Sequence, residues 1–465
     1  MSDKKSERRE KMFYEQKNGY DIMPESERGI MRDYCAGYSE FLDAARTERE
    51  AASRIVMLAE KKGFVPLTSD LKLKAGSKVY KTNRGKAVML AVIGKEPIEN
   101  GANIVASHVD VPRLDLKQLP LYEDSELAYF KTHYYGGIKK YQWLTIPLEL
   151  HGVVALKGGA VVDVCIGKSK DDPAFVITDL LPHLAADQTK KPLGEAIPGE
   201  SLNLIIGSEP DAEEGKDRVK LQILTLLNER YGITEEDFLS AELSAVPALP
   251  TRDIGLDRSM IGGYGHDDRV CSYAAVMAML DAKRPSRTAV CVLADKEEIG
   301  SEGVTGMQSG AFEGFMEALC RSQDADLRTC FENSLCISSD VCNGFDPNFP
   351  EVSEKRNNAK LNYGIALVKY TGSRGKGGAN DANAETVARL RHILDAAGVV
   401  MQMAELGKVD KGGGGTVAAY MARRNIETID AGVPVLSMHA PYELVSKLDA
   451  YMTYKAMKAV YEEKV

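Results

Sequence analysis

The sequence predicts an α/β protein, a three-layer main domain around a mainly parallel central sheet, split by an inserted β-rich domain. Three observations predict it. After residue 260, apolar β-branched runs alternate with helical stretches, the pattern of βαβ units feeding a parallel sheet. Before residue 112 the chain has similar strand texture in "SKVYKTNRGKAVMLAVIG" and "ANIVASHVDV". Between them the texture changes to short runs with Gly pairs, such as "GVVALKGGAVVDVCIG", then the acidic "SEPDAEEGKDR" and the proline-marked "AVPALPTRD". The expected division is a main α/β domain of residues 1–112 and 253–465 around an insertion of 113–252.

Taken in order, residues 25–62 have polar and apolar stripes at helical spacing and a Gly at the natural stop. "SKVYKTNRGKAVMLAVIG" reads as two strands about the turn "NRG", and "ANIVASHVDV" as a third that ends at His108 and Asp110. "RVCSYAAVMAMLDA" is apolar on nearly every side, so it is expected as a helix buried against the sheet. The remaining strands are expected in "TAVCVLAD", "SLCISSD", "IALVKY", "VVMQMAEL" and "VPVLSMH".

Bulk properties narrow the chemistry. A formal net charge of -9 argues against a nucleic-acid partner, because phosphate binding relies on clustered Lys and Arg. No stretch approaches the roughly 20 apolar residues of a membrane span, and the N-terminus has no apolar core of signal-peptide length, so no membrane partner and a cytoplasmic location are expected. The eight cysteines are scattered without a CxxC pair, which reads as reduced, buried thiols rather than a zinc–thiolate site. A metal must therefore use other ligands.

Five places join a strand or helix edge to a metal-capable side chain: His108 in "IVASHVD", Asp267 in "GHDDR", Glu298 in "DKEEIG", Asp340 in "CISSDV" and His439 in "VLSMHA". In open α/β sheets the carboxyl ends of parallel strands form the ligand crevice, so residues far apart in sequence converge there. Two imidazoles and three carboxylates suit a pair of Zn²⁺ ions, with Co²⁺ or Mn²⁺ as other occupants of O/N sites. With Asp267 bridging both ions, His108 and Glu298 are expected to complete one site, and Asp340 and His439 the other. Glu297, beside Glu298, would move the proton of an attacking water activated to hydroxide by the metals. Asp110, two residues beyond His108, would accept the other imidazole N–H. "GKVDKGGGGT" lacks the spacing of a phosphate loop, so its amides are expected to line a pocket near the metals.

With those residues in hand, the chain resembles the M18 family of zinc aminopeptidases. "YKTNRGKAVMLAVIG" is similar to the family's opening hairpin, "ASHVDVPRLDLK" to its "HTDSP" motif and "DKEEIGSEG" to its "EEVGS" segment. "SSDVCNGFDPNF" resembles the "AHAxHPN" region, and "IETIDAGVPVLSMHAPYE" the final His motif. The resemblance implies zinc at His108, Asp267, Glu298, Asp340 and His439, Glu297 as general base, and removal of the N-terminal amino acid from peptides. It also implies that the split α/β domain of residues 1–112 and 253–465 is the dizinc catalytic domain, that the insertion mediates dimer contacts or acts as a lid, and that the protein is a homo-oligomer built from dimers, a dodecamer. The chain departs from the family at the substrate pocket. Asn343 and Asp346 replace imidazoles, and "PHLAAD" keeps His183 but has Asp187 where the family has a second His that can enter a neighbouring subunit's pocket. The competing readings are a dizinc amidohydrolase or deacylase, and a non-catalytic oligomeric shell.

Overall fold

A computed structural model, which describes residues 8, 11–69 and 71–463, contains three sheets. The largest has nine strands in the order Val65–Pro66, Lys78–Asn83, Ala87–Val92, Thr288–Ala294, Ala102–His108, Leu335–Ser338, Glu427–Gly432, Ile365–Val368 and Met401–Met403. Four neighbouring strands at its centre, from Thr288–Ala294 to Glu427–Gly432, are mutually parallel. Their carboxyl ends therefore share one rim.

The period of two along each strand supplies the three layers. Val88, Leu90 and Val92 face one side, packed with residues of helices Glu25–Ala44, Glu48–Lys61, His266–Asp281 and Lys447–Tyr461. Met89 and Ala91, with Ile104, Val290 and Val292, face the other, where Phe312, Phe315 and Met316 of helix Ala311–Arg321 cover them. Helix His266–Asp281 is buried at nearly every position, as its unbroken apolar run requires.

The antiparallel sheet has six strands, ordered Val161–Ile166, Leu148–Ala155, Ala241–Pro247, Arg113–Asp124, Leu127–Tyr135 and Leu204–Gly207. It has its own apolar core around Trp143, Leu148 and Phe238, so the strands between residues 113 and 247 form a separately packed unit.

Three local readings need correction. The helical stretch 25–62 is broken at residues 45–47, where Thr47 starts a new helix. The Glu50 amide donates to the Thr47 hydroxyl at 3.3 Å and the Thr47 amide to the Glu50 carboxylate at 3.0 Å, a reciprocal cap. "IETIDAG", not expected as a strand, supplies Glu427–Gly432 to the large sheet. "VPVLSMH" contributes only Pro434–Leu436, and to a different, five-stranded sheet with Arg252–Ile254, Met260–Gly263, Glu443–Ser446 and Cys342–Asn343.

Candidate metal centre

The rim of parallel strand ends gathers the acidic and imidazole side chains. Strand Ala102–His108 lies between Thr288–Ala294 and Leu335–Ser338, with Ala294 opposite His108. His108 thus sits between the turn that carries Glu297 and Glu298 and the turn that carries Asp340. Asp267 enters from the start of the buried helix, where its backbone is extended (φ −78°, ψ 106°) rather than helical. His439 comes from the loop after Pro434–Leu436 and has positive φ, 65°.

Asp267 is the centre of the cluster. One of its oxygens is 3.4 Å from Nε2 of His108, and the other is 3.2 Å from Nε2 of His439. His108 Nε2 also faces Asp340 Oδ1 at 3.8 Å, and His439 Nε2 faces Glu298 Oε2 at 3.4 Å. Two groups follow, each with ligand atoms within 4.8 Å of one another: His108, Asp267 and Asp340; and Asp267, Glu298 and His439. This differs from the expected pairing: both turns flank His108, but the Asp340 carboxylate reaches its Nε2 while the Glu298 carboxylate lies against His439. Glu297 lies outside both groups, its carboxylate 3.9 Å from His108 Nε2.

The imidazoles are oriented through their other nitrogens. His108 Nδ1 lies 3.1 Å from the Asp110 carbonyl and 3.3 Å from its carboxylate. His439 Nδ1 lies 2.7 Å from the Gly137 carbonyl. Asp110 also accepts the amides of Glu297 at 3.1 Å and Glu298 at 3.2 Å, and the hydroxyl of Tyr135 at 2.7 Å. Glu443 does similar work on the opposite side: its oxygens accept the amides of Asp267 at 3.0 Å and His439 at 2.7 Å. Sequence reasoning missed Glu443, Tyr135 and Gly137. "HAPYE" places a carboxylate four residues beyond His439, a weak signal; the other two are brought in only by tertiary structure.

Crowding shifts the charges. Burial pushes the Glu297 carboxyl up to about 8, helped by nearby Asp340, Asp110 and Asp267. Burial likewise raises Glu298 well above the usual range, with the Asp267 charge adding to it. Burial alone would lower His108, but its contacts with Asp110, Asp267 and Asp340 hold the ring protonated well above its ordinary value. The same balance lifts His439 to about 10, through Asp267 and Glu298. Positive charge is what this cluster demands, and protons or metal cations satisfy it. Imidazole nitrogen and carboxylate oxygen are the donors Zn²⁺ takes, and the buried Oε1 of Glu298 has no hydrogen-bond partner among the described residues. The residues fit a metal.

A cleft of about 610 Å³ opens over the centre. Asp267, Glu297, Glu298, Asp340 and His439 form its floor, and its walls include Val341, Val368, Leu406, Met438 and the backbone of Gly413–Gly415. The glycine run therefore does line a pocket beside the cluster. Four expected pocket residues do not line this cleft within one chain. His183 and Asp187 are exposed, Asn343 receives the Asn358 amide on its carbonyl at 2.9 Å, and Asp346 accepts the Asn348 amide at 2.9 Å.

Comparison with known proteins settles the lineage. The family model "Aminopeptidase I zinc metalloprotease (M18)" matches residues 41–461. The chain belongs to the M18 aminopeptidase family. A probable M18 family aminopeptidase 1 of Clostridium acetobutylicum is 49% identical over 458 residues, covering 96% of this chain and 98% of that protein. The crystal structure of the Thermotoga maritima M18 aminopeptidase superposes with a TM-score of 0.93 at 44% identity, over 97% of this chain and all (100%) of that one. The mApe1 dodecamer of S. cerevisiae, 21% identical with a TM-score of 0.75 over 92% of this chain and 95% of that one, shares the fold. This M18 aminopeptidase is accordingly a metal-dependent hydrolase that acts at peptide N-termini.

Proposed function

We propose that this M18 aminopeptidase holds two Zn²⁺ ions, one by His108, Asp267 and Asp340, the other by Asp267, Glu298 and His439, and removes the first residue of peptides with Glu297 as general base. The observation that carries this reading is the Asp267 carboxylate, each oxygen facing the Nε2 of a different imidazole at 3.4 and 3.2 Å. That arrangement suits a bridging ligand. Divalent ions bound there supply polarisation of the scissile carbonyl and acidify water; Co²⁺ or Mn²⁺ would accept the same donors. Glu297 takes the proton of the attacking water and hands it to the leaving amine, a role open to a carboxylate that lies beside both ligand groups and belongs to neither. Asp110 fixes the Glu297 backbone for that transfer through the hydrogen bond from its amide.

The 113–252 stretch serves as an inserted dimerisation or lid domain, and the chain assembles from dimers into a dodecamer in the cytoplasm. Exposed Leu180, Leu181, Leu184 and Leu193 cluster in sequence around His183 and Asp187, and they support a contact with another copy there. In that assembly His183 and Asp187 reach a neighbouring subunit's cleft. The deciding experiment is Glu297→Gln. Zinc content should match wild type while turnover falls about 100-fold or more, in the range of general-base catalysis; wild-type turnover refutes the assignment.

A further inference from the structure

Both imidazoles of the centre depend on one short piece of the antiparallel unit. Tyr135 ends strand Leu127–Tyr135 and pairs in register with Arg113, five residues beyond His108. Its hydroxyl donates to Asp110, the residue whose carbonyl and carboxylate both face His108 Nδ1. Two residues on, the Gly137 carbonyl faces His439 Nδ1 at 2.7 Å. Gly136 between them has φ +76°, and a Cβ added there would meet Pro112 Cγ at 3.3 Å and Glu298 Cβ at 3.4 Å. The backbone therefore passes directly against one of the proposed metal ligands.

The segment is braced from outside the centre. The Arg113 guanidinium lies over the Tyr135 ring, 4.0 Å from its centroid. Arg113 is itself fixed by Asp115 at 2.7 Å and by Glu48, on the helix Glu48–Lys61, at 3.3 Å. Just before it, the Pro112 carbonyl accepts the Tyr264 hydroxyl at 2.8 Å. A ring clamped in this way has little freedom to turn its hydroxyl off Asp110.

We infer that Tyr135–Gly137 is a positioning strap that aims both imidazoles at the metals, Tyr135 through Asp110 and Gly137 directly on His439. The inference rests on the dinuclear reading given above. It makes the antiparallel unit part of the frame of the metal centre, in addition to any contact it makes with other subunits. Outer partners of metal ligands typically govern affinity by about 10- to 100-fold, so loss of the strap should show in metal binding itself and not only in turnover.

The experiment uses the full-length protein stripped of metal and titrated with Zn²⁺ against a chromophoric chelator. Tyr135→Phe removes only the hydroxyl. Gly136→Ala strains the positive φ and moves the Gly137 carbonyl. Tyr129→Phe, on the same strand but stacked on Tyr122 at 5.2 Å, is the control. Expected are two zinc equivalents in wild type and Tyr129→Phe, and affinity weakened about 10-fold or more in Tyr135→Phe and Gly136→Ala, with the metal-free Tyr135→Phe protein melting as wild type does. A purely structural tyrosine would shift that melt and leave zinc affinity alone. Zinc uptake by Tyr135→Phe equal to that of Tyr129→Phe overturns the strap, whether or not Gly136→Ala folds. Fewer than two equivalents in wild type overturns the dinuclear reading instead.

Discussion

Loading the centre with metal should release protons, and the number can be worked from the cluster. In the metal-free protein Asp267, with Asp110 and Asp340, keeps His108 protonated well above its ordinary range, and Asp267 with Glu298 lifts His439 to about 10. Each ring must lose its Nε2 proton before that nitrogen can bind a metal. One proton from each imidazole gives about two per subunit at pH 7. Two is a lower bound, because the buried carboxyls of Glu298, a ligand raised well above the usual range, and Glu297, pushed up to about 8, also give up any proton they hold beside two dications. The release should therefore fall again as pH rises through about 8, where Glu297 has already ionised. Calorimetric titration with Zn²⁺ in buffers of different ionisation enthalpy counts these protons. Release of fewer than about one proton at pH 7 would refute the charge balance argued for the cluster. The same shifts fix the sign of a stability effect. Folded values above the unfolded ones mean that the native metal-free state binds the extra protons. The stability these groups contribute is full at acid pH, below their unfolded values. It is lost as pH rises through about 8 for Glu297 and about 10 for His439. The melting temperature of stripped enzyme should accordingly drop from pH 5 to pH 9, and zinc should narrow that drop.

Two further substitutions probe the frame. Glu443→Gln leaves one acceptor where two backbone amides converge, so one buried amide loses its partner; a stability loss of about 2 kcal/mol by denaturant titration is expected, with weaker zinc binding, and unchanged behaviour would remove Glu443 from the frame. Gly432→Ala would set a Cβ only 1.8 Å from the Asp340 carbonyl, so Asp340 must shift; turnover should collapse with a drop in melting temperature, and a fully active variant would show that Asp340's position is not critical.

The sequence made the rim readable for a physical reason. His108, Glu298 and Asp340 each follow a short apolar run, and buried strands are legible from composition and length. Which ends become neighbours depends on strand order, which no local pattern encodes. The strand of His108 lies between the other two, so strand order brings both ends to it, and only the side-chain placement, with His439 arriving beside Glu298, groups His108 with Asp340. Strand Glu427–Gly432 was missed because "IETIDAG" alternates acidic and polar residues with apolar ones and ends in glycine, yet its middle is buried between parallel and antiparallel neighbours. The break at Thr47 carried a legible signal, Thr-x-x-Glu, inside a pattern that otherwise looks continuous. Glu443 and the strap at Tyr135–Gly137 act through backbone groups, and a carbonyl that orients an imidazole has no side-chain signature. His183 and Asp187 are exposed and lie outside the cleft of their own chain.

The dinuclear centre is tested most directly by an anomalous difference map, collected at the zinc edge, of crystals grown with Zn²⁺. It predicts two peaks per subunit about 3.5 to 4 Å apart, one within bonding distance of His108 and Asp340, the other of Glu298 and His439, with an Asp267 oxygen on each. One peak, or a pair that Asp267 does not bridge, would contradict it.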